Sequence, residues 1–147
     1  VVTPSYRGPL LLLLAVLLAR LTVAATTGIV EDEAYYWAWS QRLAAGYYDH
    51  PPGIAWLIAP FAHLFGATSL GVRAGPVLAG TAAVALLLPA VRDRWLLVTI
   101  LASLPLYTLG GVLATPDAPM LAGWALALAG AYRGNWWIAG LGAGLAG

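Results

Sequence analysis

Hydrophobic positions in this chain gather into long runs, and short polar insertions separate them. A bilayer-spanning helix needs about 20 predominantly apolar residues. Leu10–Thr27, Val72–Val91 and Trp95–Ala114 meet that requirement, and each is read as a spanning helix. Pro119–Tyr132 is shorter and fits if the helix tilts or the bilayer thins around it. Trp136–Gly147 opens a further span that the end of the sequence cuts off. Leu10–Leu18 resembles the core of a signal peptide, but the apolar stretch runs on past Arg20 to Ile29 without a convincing A-x-A-like cleavage site. An uncleaved first span is therefore expected.

One apolar run does not fit the spanning pattern. Pro51–Gly66 opens on two prolines and stays apolar only to Phe65, a length more typical of an interfacial helix. The arginines decide how to read it. If this run does not span, Arg7, Arg92, Arg94 and Arg133 all fall on one side, as the positive-inside rule requires. If it spans, Arg92 and Arg94 move to the side opposite Arg7. The predicted architecture is therefore an all-α, polytopic transmembrane bundle, with interfacial helices in a first outer loop over residues 28–71. A first such helix is predicted over Glu31–Ala45, closed by Gly46 as a left-handed cap.

Composition agrees with a membrane protein. Mean hydropathy is +0.82, and 9% of the residues are charged, against roughly 25% in soluble domains. No cysteine is present, which excludes a disulfide framework and thiolate metal sites. The net charge is +1 and there is no basic run, so nucleic acid is not expected as a partner. The sequence lacks an initial methionine and stops within an apolar run, so it reads as the N-terminal part of a larger polytopic protein.

Against this background the acids stand out. Four of the six, Glu31, Asp32, Glu33 and Asp49, fall in one loop with His50 and several aromatic residues. Charge beside a bilayer is costly, and such clusters usually mark function. On a helix, Asp32, Tyr36 and Trp39 share a face, and Glu33 pairs with Trp37 four residues on. An interfacial anchor would also carry Trp and Tyr, but anchors favour Lys or Arg on the polar face, whereas this segment leads with three acids. Asp49-His50-Pro51-Pro52 makes a stiff corner that aims Asp49 and His50. His50 can act as hydrogen-bond donor, phosphate partner, or acid and base. His63 lies on an apolar helix and is read as structural. A second outer corner, Thr115-Pro116-Asp117-Ala118-Pro119, offers Asp117 either as a helix-initiating residue or as a further site carboxylate. Arg73, at the outer start of its span, can offer a guanidinium to an anionic ligand. Arg20, inside the first span, either snorkels outward or faces the interior as a phosphate partner.

Three segments in this order, Asp32-Glu33-Ala34-Tyr35-Tyr36-Trp37, then Gly46-Tyr47-Tyr48-Asp49-His50-Pro51-Pro52, then Thr115-Pro116-Asp117-Ala118-Pro119, resemble the polyprenyl-phosphate-sugar-dependent glycosyltransferases of the GT-C superfamily. The closest branch is the bacterial RgtA/B/C/D-like group, related to lipid A aminoarabinose transferases and protein O-mannosyltransferases. The resemblance implies a multi-pass enzyme of the plasma (inner) membrane with its site on the non-cytoplasmic side. A sugar would pass from a polyprenyl-phosphate donor to a hydroxyl of a lipid, glycan or protein, with inversion. It implies catalytic roles for Asp32 as base or acceptor-positioning carboxylate, for Glu33 as its support, and for Asp117. His50, Arg73 and Arg20 would bind the donor phosphate; Tyr36, Tyr48 and Asp49 would line the substrate site. The sequence demands no cofactor. Some relatives hold a divalent cation through such acids, and Asp32 and Asp117 are the oxygen ligands available for one here. A transporter or channel with an acidic outer vestibule is the alternative, and it would place ionisable groups near mid-membrane on broken helices. A structural subunit using the acids for docking is the third reading.

Overall fold

The computed structural model describes residues 5–147. Among these the structure is 73% helix and contains no strand. The helices are α1 (Arg7–Thr26), α2 (Glu31–Ser40), α3 (Gly53–Phe65), α4 (Ser69–Leu87), α5 (Arg94–Ser103), α6 (Pro105–Gly110), α7 (Asp117–Tyr132) and α8 (Trp136–Ala146). Two of them are long and apolar enough to cross a membrane: α1, with mean hydropathy 2.2, and α4, with 1.6. At 1.5 Å per residue, the 20 residues of α1 extend about 30 Å. Its outward face carries Leu11, Leu14 and Leu18, all exposed.

Side-chain caps set several helix starts. Thr68 Oγ1 accepts the Gly71 N–H at 3.1 Å at the head of α4. Asp93 Oδ1 accepts the Leu96 N–H at 2.9 Å at the head of α5. Asn135 Oδ1 accepts the Ile138 N–H at 3.1 Å at the head of α8. These bonds satisfy donors that a helix start otherwise leaves orphaned.

Three predicted elements need correction. The span expected over Trp95–Ala114 is broken into α5 and α6 at Leu104–Pro105, because Pro105 has no N–H to continue the ladder and holds Leu104 extended (φ −70°, ψ 121°). The span expected over Val72–Val91 begins earlier, at the Thr68 cap, and ends at Leu87. The loop helix expected to reach Ala45 stops at Ser40, whose hydroxyl bonds back to the Trp37 carbonyl at 2.6 Å. Gly46 is not a left-handed cap. Positive φ occurs at Gly66 (72°), which closes α3, and at Gly134 (68°), which follows α7. The Pro51–Gly66 stretch does form a short helix, the 13-residue α3, beginning at Gly53.

The helices pack through small residues and two apolar clusters. α3 runs antiparallel along the first half of α4: a side chain at Gly75 would collide with the Leu57 carbonyl, and one at Gly71 with that of Gly66. Tyr36, Ile54, Ile58, Val72 and Ala114 form one core, joining α2, α3, α4 and the segment before α7. Leu13, Val84, Leu88 and Val98 form a second between α1, α4 and α5. At the start of α1 the Arg94 guanidinium covers the Tyr6 ring, 3.9 Å from its centroid, and Gly8 packs against the Trp95 ring. The arginines of the α4–α5 turn and Arg7 therefore share one end of the bundle. The acidic loop lies at the other.

Candidate active site

The loop is organised around a buried ion pair. Glu33, on the inward side of the first turn of α2, and Arg73, in the second turn of α4, are exposed by only 1% and 2%. Arg73 Nε–H donates to Glu33 Oε1 and its Nη2 to Oε2, both at 2.7 Å, in the two-pronged geometry that guanidinium and carboxylate planes allow. Arg73 Nη1 also donates to the Thr27 carbonyl at 3.1 Å and to Thr27 Oγ1 at 2.7 Å, and Nη2 reaches the Gly28 carbonyl at 2.7 Å. Glu33 further accepts the backbone N–H of Val30 at 3.0 Å and of Ala114 at 2.8 Å. The Val30 bond is one half of a capping box. Burial pushes the Glu33 carboxyl up, but the hydrogen bonds from Arg73, Ala114 and Val30 and the Arg73 charge outweigh it and hold it below the ordinary value.

This network takes up two of the residues given site roles from the sequence. The guanidinium of Arg73 spends its donors on Glu33, Thr27 and Gly28, so it is not open to a donor phosphate. Glu33 is likewise sealed, and its part is to fasten α2 to α1, α4 and the chain ahead of α7. A buried pair of this kind needs each lone pair and proton satisfied to offset desolvation, and here they are.

The other acids remain outside the seal. Asp32 and Asp117 are exposed, and Asp32 has no hydrogen-bond partner among the described residues. Tyr36 is buried, 7% exposed, one turn on from Asp32. Burial raises its phenol above the ordinary value first, and the negative charges of Asp32, Asp49 and Asp117 raise it further. Three carboxylates, from α2, the proline corner and the start of α7, therefore act electrostatically on one phenol. His50 packs edge-on against the Tyr36 ring with centroids 5.8 Å apart, and its Nε2 lies 4.0 Å from Asp49 Oδ2. Asp117 is the first residue of α7 rather than its cap, a place where the helix dipole favours a carboxylate. Thr115 Oγ1 stands 3.4 Å from Asp117 Oδ2.

Two residues given no role from the sequence hold the corner in place. Tyr47 stacks flat on Trp39, with centroids 4.5 Å apart and planes 4° from parallel. Its hydroxyl lies 3.1 Å from the carbonyls of both Trp39 and Arg42 and accepts the Ala44 N–H at 3.2 Å. The Gly46-Tyr47-Tyr48 string was the available signal. Tyr48, by contrast, points away, 98% exposed, with no ring contact in the cluster. His63 is exposed and lines a separate cavity of about 140 Å³ with Trp37, Ser40 and Gln41. Among the described residues no three His, Asp or Glu side chains form a metal-ligand set.

The two proline corners touch. A Cβ on Gly53 would fall 2.9 Å from Pro119 Cβ. Beside them an apolar cavity of about 490 Å³ opens, lined by Pro51, Pro52, Trp56, Leu57, Pro116 and Met120 among others. Arg20 lies elsewhere, buried inside the bundle against the Tyr107 ring, and does not line this cavity.

A family model described as dolichyl-phosphate-mannose-protein mannosyltransferase matches residues 49–146, a stretch that includes both corners, Arg73 and Asp117. Over 92 residues the chain is 39% identical to the lipid A galacturonosyltransferase RgtD of Rhizobium johnstonii, a match covering 60% of this chain and 20% of the relative. The chain thus spans about a fifth of the length of the curated relative it matches. No solved structure matches it. The chain belongs to the dolichyl-phosphate-mannose-protein mannosyltransferase family, within the GT-C superfamily that its acidic loop and two proline corners resemble.

Proposed function

We propose that the whole protein is an integral membrane glycosyltransferase that moves a sugar from a polyprenyl-phosphate donor to a hydroxyl on a lipid, glycan or protein. One arrangement carries this reading: His50, paired with Asp49 at 4.0 Å, packs against Tyr36, whose phenol feels the charges of Asp32, Asp49 and Asp117, and the two proline corners beside it border an apolar cavity of about 490 Å³. A lipid-linked donor needs both halves, a polar place for its sugar and phosphate and an apolar place for its isoprenoid chain. Family membership and the likeness to a protein named as a lipid A galacturonosyltransferase support sugar transfer.

The chemistry asks little of a general acid. Polyprenyl phosphate leaves readily once its charge is met by a cation or donor, and His50, half-exposed at the corner, is placed for that. The acceptor hydroxyl is a poor nucleophile. A carboxylate within hydrogen-bond reach helps by about 10²–10⁴-fold. Asp32, without a hydrogen-bond partner among the described residues, takes that role, with Asp117 and Asp49 orienting donor and acceptor and Tyr36 as a neutral donor among them. One displacement inverts the anomeric carbon. The site faces the non-cytoplasmic side of the inner membrane in this reading, because the arginine-bearing end lies opposite.

The test is donor choice by the full-length protein in membranes. Labelled sugar should reach a hydroxyl acceptor from polyprenyl-phosphate donors, with free polyprenyl phosphate as the second product, and not from nucleotide sugars. Transfer from nucleotide sugars alone would remove the lipid donor from the account.

A further inference from the structure

We propose that Arg20 is a positioning residue: from inside α1 it clamps the chain between Tyr107 and Gly111 and so sets where Asp117 stands. The inference rests on the glycosyltransfer reading of the outer site. Arg20 is 3% exposed and sits six residues before the end of α1, about 9 Å along the helix from the loop it serves. Its guanidinium carbon lies 4.1 Å from the centre of the Tyr107 ring, and its Nη2–H donates to the Tyr107 carbonyl. Its Nε and Nη1 find no acceptor among the described residues. The charge is therefore held by one ring face and one carbonyl, both of the same residue.

The geometry around it is specific to a clamp. Gly111 leaves room for this contact: a Cβ there would collide with the Tyr107 carbonyl that the guanidinium holds and lie 2.9 Å from Arg20 Cζ and 3.0 Å from Nη2. The Tyr107 hydroxyl donates to the Gly80 carbonyl of α4 at 3.0 Å, which fixes the ring from its far side. Three residues beyond Gly111, the Ala114 N–H donates to Glu33. The segment from Tyr107 to Ala114 is thus pinned at both ends by a buried arginine, Arg20 directly and Arg73 through Glu33. Asp117 follows three residues later. Because the α5–α6 break frees this segment from a continuous helix, its course depends on those two pins. Arg20 does not line the apolar cavity under the corners, so it is not placed to meet a donor phosphate there. Lysine cannot replace it, since an ammonium lacks the flat face and fork that grip a ring and a carbonyl together.

The experiment uses the full-length protein with two variants, Arg20→Lys and Gly111→Ala, the second pressing a methyl group on the Tyr107 carbonyl and on the guanidinium that holds it. Donor KM and kcat are measured for polyprenyl-phosphate sugar. Disulfide formation is followed separately between cysteines introduced at Val30 and Ala114, whose backbone N–H groups share the Glu33 carboxylate, with any other cysteines replaced. The clamp predicts that both variants lose about tenfold or more in kcat, since small misplacement far from the chemistry costs up to about 10²-fold. Donor KM stays constant and cross-linking slows. A raised donor KM with unchanged kcat would make Arg20 a phosphate ligand and overturn the proposal. Unchanged kcat, KM and cross-linking would overturn it too. If the wild type transfers no sugar, the glycosyltransfer reading fails, and cross-linking alone decides the clamp: slowed in the variants it stands, unchanged it falls. Should Arg20→Lys not fold, Gly111→Ala decides in the same way.

Discussion

Two adjacent acids, Asp32 and Glu33, have opposite fates. Helical rotation of about 100° between neighbours turns Glu33 into the bundle and leaves Asp32 outside. Glu33 is then a structural residue, and Glu33→Gln should leave Arg73 buried without a counter-charge, costing about 3–5 kcal/mol. Thermal unfolding of the purified protein at pH 7 measures this. The pH dependence follows from the sign of the shift. The folded carboxyl lies below its ordinary value of 4.5. Its contribution is therefore full above about pH 4.5 and is lost as the pH falls through the lower folded value. Wild type should show that acid loss and Glu33→Gln should not; a loss setting in well above pH 4.5 would mean that burial outweighs the hydrogen bonds. The sequence made the acid cluster plain but could not sort its members. Glu33 finds its partners in Arg73, 40 residues away, and in the Ala114 N–H, 81 away, and backbone groups leave no mark in a pattern of residue types.

At the scale of elements, run length found the apolar helices and missed how they are interrupted. Hydropathy sums across Pro105 without a change, whereas the missing N–H there splits one expected span into α5 and α6. The short helix within Pro51–Gly66 was legible because two prolines mark its start and its apolar run is short. The early end of α2 was not, since it depends on the Ser40 back-bond and on Tyr47 capturing carbonyls of the following turn. The contact of the two proline corners was equally invisible, although both corners could be read as site elements. It gives a sharp prediction. Gly53→Val would drive a side chain into Pro119 and part the corners, and overpacking of this kind costs about 1–3 kcal/mol. Sugar transfer should fall by more than tenfold in protein that still purifies as a folded species. Full activity in that variant would show that the corners need not touch.

In the whole molecule, the proposed reaction centre lies at one end of a helical bundle and Arg7, Arg92 and Arg94 lie at the other. The acidic end is built by tertiary links, the Glu33–Arg73 pair, the Tyr36 core and the corner contact, rather than by any one helix. The transporter reading would place ionisable groups along a path through the bundle, but the two buried arginines are instead engaged with Glu33 and with Tyr107. In the proposed mechanism the Asp32 carboxylate is the base. A comparison of wild type and Asp32→Asn at matched expression in membranes decides this, following transfer of labelled sugar from a polyprenyl-phosphate donor. A fall of about 10²–10⁴-fold in kcat is expected, with the protein still folded. Transfer at the wild-type rate would contradict it and remove Asp32 from the mechanism.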